Sequence, residues 1–467
     1  MIRIKKLTMS LVGGAAVLGF AGSAMAFNTE FHGVMWQAVG ATTNYGHLDE
    51  TQKGSSYGGS VFRSSELGSS GIKDFTFMDA DNGETFGLTK ARLTFEGTTD
   101  DGLAKFVYGL EVGTTNWGNG ASGKEGGFGL SGDGVNQETR FAYADFAIPG
   151  LDKNQRLVAG LQPVNMNKWV WKETAAGLAY KGKYGDAKWE LGWYRGETGT
   201  NSNDNDDASD DDYFTAKLGG KVMEGVNLGL FGIYKDAGHE KFDDPGATGD
   251  YFNDEIYYAG LTGDLKGGPF FGNFDLVYEG GEVEVDEGHG DLDRSAWLGN
   301  LTLGYKFNDQ FKLYANALYA SGDDDPDDGD IDNFSSIDVD VPIGIIFFKD
   351  GLLSDCDRFT SDVPYFQDRG LINYALTGEY QVDDKNHVRA AVRYLMTAED
   401  FEKDTESDDA IGTELDLWYT YKYNKNLDLR LDAAYLFADD AADLMTAGDD
   451  NDADDIFTVA GGAVIKF

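Results

Sequence analysis

The sequence predicts an all-β chain, a transmembrane antiparallel β-barrel of eighteen strands, with sixteen as the alternative. Three observations predict it. An export signal opens the chain, period-two alternation recurs over segments long enough to cross a bilayer, and the connections alternate between short turns and long acidic loops.

The first 26 residues read as a signal peptide. Arg3, Lys5 and Lys6 form a basic start, Leu7 to Ala21 an apolar stretch, and Ala24-Met25-Ala26 a small-residue cleavage site. Cleavage after Ala26 removes three cations, so residues 27–467 are more acidic than the whole chain's −43. No later apolar run reaches the roughly 18 residues of a spanning helix. An exported chain without such a helix is secreted or is an outer-membrane barrel.

Alternation then marks the strands. A first strand is expected near 30–40, then pairs at 87–97 with 103–114, 139–148 with 155–162, 175–184 with 187–196, 213–221 with 226–235, and 255–265 with 271–281. The pairs 294–307 with 310–321, 372–382 with 387–397, and 413–423 with 427–437 follow, and a last strand covers 456–467. These lengths match the 9–11 residues of a tilted membrane strand and exceed the five or six usual in soluble sheets. The faces divide cleanly: Leu427, Leu429 and Leu431 alternate with Asp428, Arg430 and Asp432, and Val388, Ala390, Val392 and Tyr394 oppose Arg389 and Arg393. A soluble barrel would bury its apolar face instead. Aromatic residues near strand ends, such as Tyr180, Tyr184, Tyr305, Phe307 and Tyr423, and the small outward residues Gly232, Gly263 and Gly299 favour a lipid-facing wall. The cell outer membrane is therefore the expected location, with lipid and lipopolysaccharide around the barrel.

The chain ends on Phe457-Thr458-Val459-Ala460-Gly461-Gly462-Ala463-Val464-Ile465-Lys466-Phe467, which resembles the terminal strand of bacterial outer-membrane proteins. Leu103 to Gly118, the run Arg140-Phe141-Ala142-Tyr143-Ala144-Asp145-Phe146 and the run Leu157-Val158-Ala159-Gly160-Leu161-Gln162-Pro163 are similar to the trimeric porins of anaerobic Gram-negative bacteria. The motif likeness is close only between about 86 and 165, and the acidic loops match no such protein. The resemblance implies passive diffusion of ions and small hydrophilic solutes through a homotrimer.

A barrel of this size encloses water, so its inward side chains decide what passes. Alternation points Lys90, Arg92, Lys105, Glu111, Arg156, Lys181, Lys183, Arg389, Arg393, Asp428, Arg430 and Asp432 into the lumen, a mixed wall with further cations at Lys188, Lys217, Lys306 and Lys312 and further anions at Glu96, Glu190, Asp264, Asp275, Glu279, Glu379, Glu414 and Asp416. Wall charges at a narrow point are screened less than loop carboxylates in bulk saline, where the Debye length is about 8 Å. Arg389, Arg393 and Arg430 share a side and suggest a basic ladder favouring anions, against the blander reading of charges paired with neighbouring carboxylates. The connection 322–370 carries Val341, Ile343, Ile345, Ile346, Phe347 and Phe348, an apolar run that water would not tolerate. Inward folding as a constriction is preferred to packing on a neighbouring subunit. The first loop, about 41–86, is a second candidate.

Other chemistries are weakly supported. One Cys, Cys356, permits no disulfide framework or thiolate metal cluster. The Asp323–Asp330 run and the Asp449–Asp455 run lack the register of a calcium loop and read as solvated charge. No cofactor or metal is expected, and 38 cations against 81 anions argue against nucleic acid. Gly54-Ser55-Ser56-Tyr57-Gly58 matches a nucleophile motif without its strand-to-helix elbow, and His32, His47, His239, His289 and His387 are scattered, so no enzyme is expected. The rivals are a substrate-specific channel, resembling the eighteen-stranded anionic-polysaccharide exporters, and a plugged structural or adhesin barrel.

Overall fold

The computed structural model describes residues 27–43, 83–118, 137–198, 210–241, 251–285, 291–325, 328–339, 341–347, 350–352, 363–403, 406–444 and 453–467. The expected signal peptide, most of the first loop, Phe348, Cys356 and the Gly54–Gly58 motif lie outside them.

The first nine strands are β1 (Phe27–Thr43), β2 (Gly83–Thr99), β3 (Ala104–Asn116), β4 (Gln137–Ala147), β5 (Arg156–Pro163), β6 (Thr174–Tyr184), β7 (Ala187–Thr198), β8 (Asp210–Met223) and β9 (Val226–Lys241). They are followed by β10 (Tyr251–Gly267), β11 (Phe270–Val285), β12 (Leu292–Lys306), β13 (Phe311–Ala320) and the two-residue β14 (Asp330–Ile331). The series ends with β15 (Leu371–Gln381), β16 (Asn386–Lys403), β17 (Glu406–Lys422), β18 (Leu427–Ala438) and β19 (Ile456–Lys466). All but β14 form one antiparallel ring of eighteen strands, closed by β19 against β1 with Trp36 opposite Val464 and Ala41 opposite Val459. The terminal Phe467 locks that seam, exchanging backbone hydrogen bonds of 2.8 and 3.1 Å with Gly33. Closure leaves no edge strand, the condition for a sheet to lie in hydrocarbon.

Polarity is inverted relative to a soluble protein. Leu191, Leu218, Leu230 and Leu303 are each more than half exposed, whereas Glu279 and Glu414 are wholly buried. Cross-strand partners share a face, and the pairing puts the leucines on the outside. Aromatic contacts reinforce the outer rims, with Phe270, Tyr305 and Phe307 in edge-on contact and Tyr257, Tyr278 and Trp297 in a second group.

The turns on one rim are short because side chains fold them locally. Asn308 accepts backbone hydrogen bonds of 2.8 Å from Gln310 and Phe311, and Asp383 does the same for Lys385 and Asn386, the habit that makes Asx residues turn formers. Gly225 turns β8 into β9 at φ 76°, where a Cβ would meet the Lys266 carbonyl. On the opposite rim several strands overrun the expected limits; β16 continues to Lys403 instead of ending near 397. A helix, α1 (Asp440–Leu444), packs against β17 there and buries Ala441, Ala442 and Leu444.

Candidate permeation path and the segments that cross it

The ladders put the twelve charged residues read from the sequence on the sheet face opposite exposed leucines such as Leu191, Leu218 and Leu431. Most are paired. Glu111 receives Lys90 at 2.7 Å, Arg92, and Arg140 at 3.0 Å, so three cations surround one carboxylate. Lys105 meets Glu96 at 2.5 Å, Arg156 meets Asp145 at 2.5 Å, Lys181 meets Glu190 at 3.3 Å and Asp428 meets Lys466 at 2.9 Å. Lys183 stands opposite Lys188.

The basic ladder is altered by its company. Arg393 is buried, 2.7 Å from Asp416 and 3.9 Å from Glu414. Arg389 stacks over Trp418, 3.7 Å from the ring centre, and reaches Asp350 at 2.6 Å. Arg430 lies in the row of Thr420 and Gly462. Two of the three arginines are thus neutralised by carboxylates, and the buried one, Arg393, needs that counter-charge.

Two connections run across the interior. The first, between β5 and β6, was not singled out in the sequence. Val164, Met166, Trp169, Val170 and Trp171 are all buried. Asp275 on β11 holds this hairpin, accepting from Trp169 Nε1 at 2.9 Å and Asn167 Nδ2 at 3.0 Å, with Asn300 Nδ2 also at 3.0 Å. Trp171 packs on Tyr194 and Tyr213, with ring centres 5.3 and 4.8 Å apart. The paired tryptophans in a link between strands were the available signal, since loops seldom leave such residues in water.

The second is the long connection between β13 and β15. It joins the first directly: Ile337 N–H donates to the Val170 carbonyl at 2.8 Å, and Ser336 Oγ donates to the Trp169 carbonyl at 2.7 Å. Ser335 binds Glu279 on β11 through its backbone N–H at 2.7 Å and its hydroxyl at 2.5 Å, and Arg294 holds the same carboxylate at 3.1 Å. Farther along, Ile345 N–H donates to Asp416 at 3.2 Å and Ile346 N–H to Glu414 at 2.7 Å, while Leu352 N–H donates to Asp432. Val341, Ile345, Ile346 and Phe347 are buried, Ile343 is half-buried against them, and Phe347 meets Phe366 edge-on.

These contacts fix the route. One chain segment touches β10 to β12, β17 and β18, and through the hairpin β7 and β8, sectors far apart round a closed ring. Only a path through the interior reaches them all. The electrostatics of the segment follow: burial raises Asp350 from 3.8 to about 6 against the opposing pull of Arg389 and Arg393, and burial lowers Lys168 on the hairpin.

No family model and no curated protein matches the chain. Solved structures do. The chain is similar to OpdK of Pseudomonas aeruginosa, solved with vanillate, at TM-score 0.52 and 11% identity over 94% of this chain and 98% of that one. It is similar to OccK8 (OprE) of the same organism, at 0.52 and 12% over 94% and 98%, and to OccAB1 of Acinetobacter baumannii, at 0.51 and 12% over 94% and 97%.

The fold is that of outer-membrane channels. A closed ring with a greasy exterior and an ionic interior belongs in the cell outer membrane.

Proposed function

We propose that the protein is a porin through which ions and small hydrophilic solutes diffuse passively, the path narrowed by the two inward segments. The twelve inward charges line that path, and residues 341–347 form its constriction. The observation that carries the reading is the closed barrel whose inner wall is ionic and whose crossing segments are tied to several sectors of that wall. Charged walls favour hydrated solutes over apolar ones, and paired cations and anions leave weak ion preference. The proposal includes cleavage after Ala26, a homotrimer akin to the porins of anaerobic Gram-negative bacteria, lipid and lipopolysaccharide around the outer belt, and no catalysis.

Planar-bilayer recording of the purified protein tests it. Stable open steps with weak preference between potassium and chloride support the porin. Absence of conductance overturns it in favour of a plugged barrel. A substrate-specific channel is the second reading, favoured by the hydrogen-bonded rigidity of the two crossing segments, and saturable block by a single solute would establish it. A slow-migrating species on an unheated gel that collapses to monomer on heating tests the trimer.

A further inference from the structure

Among the inward charges, one group departs from the pairing rule. On the inner face of β6 to β8, in the half nearest the short turns, stand Lys181, Lys183, Lys188, Lys217 and Lys221, with Glu190 the one carboxylate among the described strand residues of that half-face and Asp186 and Glu224 in the turns that join the strands. Lys181 takes Glu190 at 3.3 Å, and Lys217 Nζ donates to the Asn165 carbonyl on the inward hairpin at 2.6 Å. Lys183, Lys188 and Lys221 are exposed and have no ion pair within the described residues.

Their placement is unfavourable by itself. Lys183 and Lys188 are direct cross-strand partners, a position where like charges repel at Cβ separations of about 4.5–5.5 Å. The next residue in that row is Gly219, itself opposite Gly229. Lys188 therefore borders a patch of bare backbone, with Lys217 and Lys221 two positions to either side of Gly219. Five ammonium groups outnumber Glu190 on the strands and Asp186 and Glu224 in the adjoining turns, and around a floor without side chains they suit a ligand that carries several negative charges and little bulk. The rest of the chain is strongly acidic, so this local excess opposes the overall charge.

We propose that this cluster is a binding site for a compact polyvalent oxyanion, a phosphate or a polycarboxylate, at the short-turn mouth of the lumen. Lys183, Lys188 and Lys221 supply the open donors, and Lys181 and Lys217 add field from behind them. Monovalent chloride gains little from several ammonium groups at once, whereas an ion of charge two or more gains from each.

The test is isothermal titration calorimetry of the detergent-solubilised full-length protein with inorganic pyrophosphate and, separately, citrate. Saturable binding that weakens by about tenfold or more in the Lys183→Gln/Lys188→Gln variant, weakens again when salt is raised from about 50 to about 300 mM, and persists in Lys425→Gln on another turn supports the site. The tighter probe names its anion class. Absence of saturable heat with both probes, or equal affinity in the double variant, overturns it. Heat-dependent gel mobility shows that each variant is folded. Binding is read without current, so a barrel that fails to conduct leaves this result standing.

Discussion

Replacing Glu414 by Ala tests the crossing segment at its most specific anchor. Glu414 is wholly buried and accepts the Ile346 N–H at 2.7 Å, and Arg393 lies 3.9 Å away. Arg393 keeps Asp416 at 2.7 Å, so the change strands no cation, and the main loss is the hold on the turn at residues 344–347. Leaving the buried Ile346 N–H without its acceptor costs about 1–3 kcal/mol, which lowers the ratio of docked to released segment by roughly 5- to 150-fold. The buried side chains of Ile345, Ile346 and Phe347 each retain about 1.5–3 kcal/mol of apolar contact, so release is frequent and not permanent. The expected record in planar bilayers is a higher mean conductance with added open-channel noise, and Glu414→Gln, which keeps one acceptor oxygen, lies between. A Glu414→Ala barrel with normal gel mobility and unchanged conductance and noise would refute the role of this segment as the constriction.

Further outcomes follow from the same geometry. Asp350 has its folded value raised from 3.8 to about 6, so the docked segment holds an extra proton between those values; docking is strongest below that window and weakens as pH rises through it. In the same window protonation uncovers Arg389, so reversal potentials shift toward anions as pH falls below about 6, and Asp350→Asn abolishes that shift. Asp275→Ala removes the acceptor for Trp169, Asn167 and Asn300, at roughly 1–3 kcal/mol for each donor left unsatisfied, and a red-shifted tryptophan emission together with faster proteolysis at 164–173 would show the hairpin released. Gly160 sits at φ 116° with the Ala142 carbonyl 2.3 Å from where a Cβ would stand, so Gly160→Val lowers the temperature of unfolding on a gel. Leu431→Arg puts a cation on the lipid face at about 2–4 kcal/mol if near the midplane and reduces refolding into vesicles, whereas Arg430→Leu next to it does not.

The wall was legible to within a few residues at most ends, and the exceptions are instructive. The expected 387–397 became Asn386–Lys403 because Thr397 to Lys403 carry no lipid-facing alternation, yet the strand still pairs, Phe401 with Asp408. Outside the bilayer both faces meet water, and the signal that marks a membrane strand disappears while its hydrogen bonds remain. Period two assigns a face to each strand residue, and the inward set was read on that basis. The anchoring roles of Asp275, Glu279, Glu414 and Asp416 were not, although each had been placed inside. The Val341–Phe347 run announced a need for burial without saying against what.

The sequence by itself determined a closed, lipid-embedded sheet, because bilayer thickness and the demand that every backbone group be paired constrain length and alternation locally, strand by strand. Only the tertiary structure decided what occupies the interior. Ile346 and Glu414 lie 68 positions apart, and Asn167 and Asp275 lie 108 apart. Such contacts depend on how the ring closes, which fixes which distant side chains face one another across the water.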